Sequence, residues 1–463
     1  MSVILAVLLA SGASGPVRAD DAAVISQLKE QIEQLDQKVK ILERKRELEQ
    51  ESAAEKPKTT PSVSIGPSGF LARSADSNFV LRVRGYVQAD GRYYLDDYPG
   101  GIANDTFLIR RARPIFEGTV YEKYDYRVML DFGSGVTSTT GNNGFLQDAY
   151  VNARLWPELQ IQAGKFKEPV GLERLQSGAN LLFVERGYPT LLVPNRDVGV
   201  QLQGDLSGAF LSYAVGVFNG VADGGSGDIE SADDDKDIAA RLVLQPFRKS
   251  NLGALRGFGV GVAGTYGNQD GALRSYVSPG QQRFFSYRTG AGTNDATASV
   301  VANGDHWRLS PQGYYYWGPF GLFGEYVISD QELQRTAGAA TYQRVRNTAW
   351  QVATSYFLTG EENSYKPVAP KRPVSLHGGG WGALEVAARI QQLNVDDAAF
   401  PLLANPATAA REALSWGLGL NWHLNRNLKF NVDYEQTNFK GGGSSAFLRE
   451  GEKVILTRIQ FSF

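Results

Sequence analysis

From Leu81 to the last residue the chain repeats one pattern, apolar side chains at every second position with polar ones between. In Leu414-Ser415-Trp416-Gly417-Leu418-Gly419-Leu420-Asn421-Trp422-His423-Leu424 one face is Leu and Trp, the other Ser, Gly, Asn and His. Leu428, Phe430, Val432 and Tyr434 then alternate with Lys429, Asn431, Asp433 and Glu435. A period of two is that of a β-strand. The dry core of a soluble sandwich would not satisfy Gly, Ser, Asn, Arg and Glu on its inner face strand after strand. A barrel with lipid outside and water inside does.

About sixteen such segments recur, an even number as bacterial barrels require. They begin near Leu81, Phe107, Tyr124, Leu146, Leu159, Asp197, Leu211, Ile238, Phe258, Trp307, Phe320, Thr348, Trp381, Leu414, Leu428 and Val454. Tight turns (Tyr121-Glu122-Lys123, Trp156-Pro157-Glu158, Leu206-Ser207-Gly208, Asn425-Arg426-Asn427) alternate with long loops, notably 169–195, 221–236 and 268–305. Short periplasmic turns and long outer loops are the rule for this class. Tyr314-Tyr315-Tyr316-Trp317 fits an interfacial aromatic girdle. Ile455, Ile459, Phe461 and Phe463 share one face of the closing strand, and Phe463 is read as an assembly signal for barrel-insertion machinery. The predicted fold is all-β: an antiparallel transmembrane β-barrel of about 16 strands over residues 79–463, preceded by a short coiled-coil helix.

Composition excludes other classes. The longest apolar run, Val3 to Ala10, is far short of the roughly 20 residues a spanning helix needs. That run leads through Ser11-Gly12-Ala13-Ser14-Gly15 to Val17-Arg18-Ala19, so residues 1–19 read as a secretory signal, although no Lys or Arg precedes the apolar stretch. The chain has no Cys, which suits an exported protein that never relies on disulfides. A net charge of −2 points to no nucleic-acid partner.

Within residues 20–50, Ile25, Leu28, Ile32, Leu35, Val39 and Leu42 alternate spacings of 3 and 4, a heptad seam. Three heptads are short for an isolated coil, and a single amphipathic helix is the other reading. β-Branched residues at one seam position with Leu at the other favour dimers, a preference an attached trimeric barrel would override. Residues 51–78, with Pro57, Pro61 and Pro67, read as an extended linker without chemistry.

Several blocks then resemble the phosphate-selective porin O and P family: Leu81-Arg82-Val83-Arg84-Gly85-Tyr86-Val87-Gln88, Arg110-Arg111-Ala112-Arg113-Pro114-Ile115-Phe116-Glu117-Gly118-Thr119, Asp148-Ala149-Tyr150-Val151, Gln162-Ala163-Gly164-Lys165-Phe166-Lys167-Glu168-Pro169-Val170-Gly171, and Pro194-Asn195-Arg196-Asp197-Val198-Gly199. The likeness covers the whole barrel. It implies an outer-membrane homotrimer in contact with lipid and lipopolysaccharide, whose inward loops narrow a channel lined by Arg and Lys. Such a channel passes small anions, phosphate among them, by passive diffusion and uses no cofactor or metal.

By strand parity Arg84, Arg92, Arg111, Arg113, Arg154 and Arg458 face the lumen, and a symmetric first hairpin sets Arg92 near Arg110 and Arg111. Acids interleave with them (Asp90, Glu117, Asp125, Asp131, Asp148), so the arginines read either as an anion path or as an internal network bracing the wall. The loop 169–195 carries Leu181-Leu182-Phe183 and Leu191-Leu192-Val193, too apolar for water. Folded into the barrel mouth, it would present Arg174, Glu185 and Arg186 at a constriction, with Lys165 and Lys167 where it begins. His306, His377 and His423 are scattered and show no nucleophile–base pattern, so no enzyme is expected. Asp233-Asp234-Asp235 lacks the alternating ligands of a calcium loop and reads as a solvated acidic turn. A general, non-specific pore and a structural tether to the cell wall are the rival functions.

Overall fold

In the computed structural model the described residues are 19–95, 104–133, 145–227, 234–291, 298–337, 342–375, 378–443 and 449–463. The signal reading of the first 19 residues therefore lies almost wholly outside them, as do Asp233 and His377. Helix α1 (Ala19–Thr59) precedes strands β1 (Ser62–Gly66) and β2 (Gly69–Arg73). There follow β3 (Phe79–Tyr94), β4 (Thr106–Val120), β5 (Tyr124–Leu130), β6 (Leu146–Trp156) and β7 (Leu159–Lys167). Next come α2 (Leu172–Leu175), β8 (Arg196–Leu206), β9 (Leu211–Phe218), β10 (Asp237–Leu244) and β11 (Phe258–Ala272). Three short pieces, β12 (Tyr276–Val277), β13 (Arg283–Phe285) and β14 (Thr289–Ala291), interrupt the long strands. The chain ends with β15 (Ala298–Trp317), β16 (Phe320–Arg335), β17 (Tyr342–Phe357), β18 (Ala383–Asn394), β19 (Ala410–His423), β20 (Leu428–Gly441) and β21 (Glu452–Ser462).

Among the described residues nineteen strands share one hydrogen-bonded sheet, and sixteen of them form a closed antiparallel barrel, the other three being β1, β2 and β14. Closure is made by β21 on β3, from Val454 opposite Tyr94 to Ser462 opposite Tyr86. All sixteen expected segments correspond to barrel strands. The two faces are inverted relative to a soluble protein. On β17, Val352 and Tyr356 are 44% and 47% exposed to what is lipid in the membrane, while inward Gln351 is fully buried.

Strands β15 and β17 begin earlier than expected, at Ala298 and Tyr342 rather than near Trp307 and Thr348. Toward the long-loop ends of these strands the polarity of the wall reverses. Val300, Ala302, Leu333 and Val345 point inward into a buried apolar cluster, while Arg344 and Arg346 clasp Asp330 on the outside at 2.5 and 2.8 Å. A lipid-out, polar-in pattern therefore stops where the strand does not.

The segment 51–78 is not one extended linker. Helix α1 continues to Thr59, in keeping with the helix-forming Glu, Ala and Lys of residues 51–56. Strand β2 pairs with Val80–Val83 of β3, below the point where β21 ends, and so covers an edge that would otherwise lie open. In α1 the seam residues Leu28, Ile32, Leu35, Val39 and Leu42 are all exposed in the single chain.

Candidate functional site

The connection between β7 and β8, residues 168–195, runs inside the barrel as its apolar content required: Val170, Leu172, Leu181, Phe183, Val184, Tyr188, Leu192 and Val193 are all buried. A buried loop must find partners for its backbone groups. The polar inner faces of the strands supply them. Gln88 and Gln460 donate to the carbonyls of Gly178 and Ala179 at 2.8 and 3.0 Å. Lys429 and Asn421 donate to those of Leu181 and Leu182, both at 2.9 Å. Glu325 accepts from the backbone N–H of Leu172 and Glu173, Asp433 from Val184, and Gln391 from Tyr188. Arg389 on β18 donates to the Glu185 carbonyl at 3.0 Å, lies 4.3 Å over the Phe183 ring, and is paired with Glu435 at 2.5 Å.

Where the loop meets β3 and β4, its Glu185 carboxylate receives the Arg110 guanidinium in a two-pronged contact, 2.6 Å from Nε and 3.2 Å from a terminal nitrogen. Arg92 and Arg111 approach the same carboxylate at 3.7 and 4.0 Å. Burial pushes the Glu185 carboxyl up, but Arg110 and Arg111 outweigh it and hold the group well below the usual carboxylate range. The expected symmetric hairpin is not what brings these arginines together. Arg92 lies opposite Thr106, and Arg111 opposite Gln88. An irregularity between Gln88 and Ala89 leaves Arg110 as an extra residue on β4, so Arg110 and Arg111 both reach the lumen and meet Arg92 through Glu185. Arg110 was missed by strict alternation; the adjacent Arg-Arg pair was the sequence sign that the alternation slips.

The remaining expected residues divide. Arg458 makes two bonds to Asp90, at 2.7 and 2.6 Å, and Arg84 two to Glu117, at 2.6 and 2.9 Å. Arg113 holds Asp131 at 2.7 Å and the Tyr86 hydroxyl at 2.9 Å. Arg154 does not join the cluster: β6 runs down from the long-loop end, which leaves Arg154 exposed at the short-turn end, 2.8 Å from Asp125. Arg174 and Arg186 do not project into the passage either. They serve the loop's own fold, Arg174 donating to the Thr190 carbonyl and Arg186 to those of Glu173 and Gln176. Lys165 is buried beside Asp197 on the wall, and Lys167 caps the carbonyls of Arg174 and Gln176. Phe463 ends the closing strand, bonded through its backbone to Gly85 and stacked on Phe461. His306 is held between Gln269 and Ser329 at 2.7 and 2.8 Å, a wall residue.

Two cavities lie against the loop, and both are basic. One, of about 630 Å³, opens toward the short turns and is lined by Arg82, Arg84, Arg127, Lys366, Arg426 and Lys429 against Glu117 and Glu385. The other, of about 370 Å³, is lined by Arg113, Arg127, Lys167, Arg196 and Arg241 against Asp148. Tyr86 and Arg127 border both. One connection at the short-turn end breaks the expected rule. The connection between β17 and β18, rich in Pro and Gly, is no tight turn, and in its described part the Tyr365 hydroxyl donates to the Leu172 carbonyl of the loop. From the opposite end, the β12–β13 hairpin is fixed by Glu452, which accepts from Ser278 and Gly280.

A family model described as phosphate-selective porin O and P matches residues 81–463. Porin O of Pseudomonas aeruginosa is 25% identical over 423 residues, 85% of this chain and 91% of that protein. Among solved structures, the outer membrane channel DcaP of Acinetobacter baumannii aligns with a TM-score of 0.52 and 12% identity over 84% of this chain and 99% of that one. Salmonella typhi OmpF aligns with a TM-score of 0.50 and 11% identity over 83% of this chain and 98% of that one.

Proposed function

The chain belongs to the phosphate-selective porin O and P family, and from that premise we propose that Arg92, Arg110 and Arg111 form the anion-selecting step of its channel. It is an outer-membrane porin, and its solutes are small oxyanions, phosphate among them, passing by diffusion. One observation carries the reading: three guanidinium groups converge on the single carboxylate of Glu185. That leaves a surplus of fixed positive charge in a low-dielectric wall, which concentrates anions at the narrowing. Arg82, Lys366 and Arg426 in the one cavity and Arg241 in the other add the same sign. Arg84, Arg113 and Arg458, each held by a wall carboxylate, brace the barrel instead. The working unit is a homotrimer, as the family resemblance implies; the exposed heptad seam of α1 supports only that further copies of the chain cover it.

The test is a reversal potential across planar bilayers in a potassium chloride gradient, repeated with phosphate as blocker. Arg110→Ala with Arg111→Ala lowers the chloride-over-potassium permeability ratio and weakens phosphate block while the barrel still assembles. Unchanged preference and block in that double variant would assign these arginines to the bracing network too.

A further inference from the structure

Glu185 differs from the acids that hold Arg84, Arg113, Arg127 and Arg458. Asp90, Asp131, Glu117 and Asp148 belong to the wall itself, on strands or at a strand end, so the ladder fixes them beside their partners. Glu185 is carried on the inward loop, between β7 and β8. Its carboxylate meets Arg110 through both oxygens, at 2.6 and 3.2 Å, the two-pronged contact in which a guanidinium takes a free carboxylate or two oxygens of a phosphate. The Arg92 and Arg110 side chains remain 16% and 23% exposed, whereas Glu185 is almost covered. The clasp thus keeps solvent access at its arginines while its carboxylate, supplied by the loop, is covered.

Three guanidinium groups with no counter-ion would bind an oxyanion too firmly to release it, and conduction needs sites that let go. A carboxylate fixed nearby acts at an effective concentration on the order of millimolar or more, so it competes with any free anion at the same fork. Resting on the reading of these arginines as the anion path, we propose that Glu185 is a tethered competitor. An incoming oxyanion takes over the Arg110 fork and Arg92, and the returning Glu185 carboxylate drives it off. The solutes favoured are those with two oxygens to offer one guanidinium, carboxylates and phosphate alike. Chloride, which cannot bridge the fork, gains least.

The experiment measures half-blocking concentrations of inorganic phosphate and of acetate on the chloride current of the full-length porin in planar bilayers. Glu185→Gln keeps the shape and still accepts a hydrogen bond from Arg110, but loses the charge. It lowers both half-blocking concentrations by about tenfold and raises the chloride-over-potassium permeability ratio. Glu185→Asp, which keeps the charge but draws it back from the fork, falls between Glu185→Gln and the native chain and decides the matter if the Gln variant does not assemble. Native half-blocking concentrations in the assembled variants overturn the competitor role, as does weaker block. The two readings fail separately. A native channel with no anion preference and no phosphate block sinks the anion path, while a selective, blockable native channel indifferent to Glu185 sinks only the competitor.

Discussion

If inner-wall side chains hold the constricting loop in place, then Arg389 is the anchor whose loss should matter most. Its side chain has no solvent exposure and meets Glu435, also fully buried, at 2.5 Å, with Glu173 at 3.9 Å. It also bonds the Glu185 carbonyl and covers the Phe183 ring. Arg389→Met keeps much of the apolar stem but strands Glu435 without a counter-charge, a change that costs about 3–5 kcal/mol for a buried pair. The nearest remaining ties of the loop backbone contribute roughly 0.5–1.5 kcal/mol for neutral Asn421 and roughly 1.5–3 kcal/mol each for charged Lys429 and Asp433. The loss is therefore comparable with the other ties to the backbone of residues 181–184, leaving the Glu185 carboxylate on Arg110 as the main remaining hold, and the β-ladder does not share in it. The expected outcome is a folded, heat-modifiable barrel whose loop opens. Single-channel current becomes noisier and larger, and liposomes swell faster in sugars near the native size limit. Adding Glu435→Gln removes the stranded charge and recovers much of the native behaviour, because deleting both partners of a buried pair costs far less than deleting one. Native conductance, noise and size limit in Arg389→Met would refute the anchoring argument, and so would a double variant no better than the single.

Two further outcomes follow from the ends of the chain. Phe463→Ser removes the last apolar anchor of β21 while leaving its ladder bonds, so outer-membrane yield falls and periplasmic degradation rises; unchanged insertion in a quantitative membrane blot would set aside the assembly-signal reading. Deleting residues 20–68 removes α1 and β1 but spares β2 and its pairing to β3, so barrels that still conduct and still shift on heating are expected; loss of all channel activity would give the helix a role in the pore itself.

The barrel was legible because a bilayer imposes a rule that sequence alone can display. Lipid-facing residues such as Trp416, Leu418 and Leu420 must be apolar, and their neighbours Ser415 and Asn421 need not be. Where the rule lapses, so does the reading. The starts of β15 and β17 carry apolar side chains inward, and alternation read for lipid missed them. Residues 358–382 were missed for a different reason. Nothing local distinguishes a Pro- and Gly-rich stretch that dangles from one that docks, and its contact with the loop depends on Tyr365 meeting Leu172, 193 positions away.

The site was legible in kind but not in membership. Parity turns Arg84, Arg92, Arg111, Arg113 and Arg458 inward, because parity is local. Which of them keeps charge to spare is a question of partners on other strands, and Asp90 neutralises Arg458 across 368 positions. A single irregularity beside Gln88 brought in Arg110, which strict alternation leaves on the lipid side. Gln, Asn, Asp and Glu along the inner wall suggested a wet lumen, and much of that polarity instead satisfies the backbone of a loop packed inside it. The same composition serves both purposes. Only the loop's apolar residues, which forbid it to lie in water, indicated that the second purpose was present, and they also fix where Glu185 must stand.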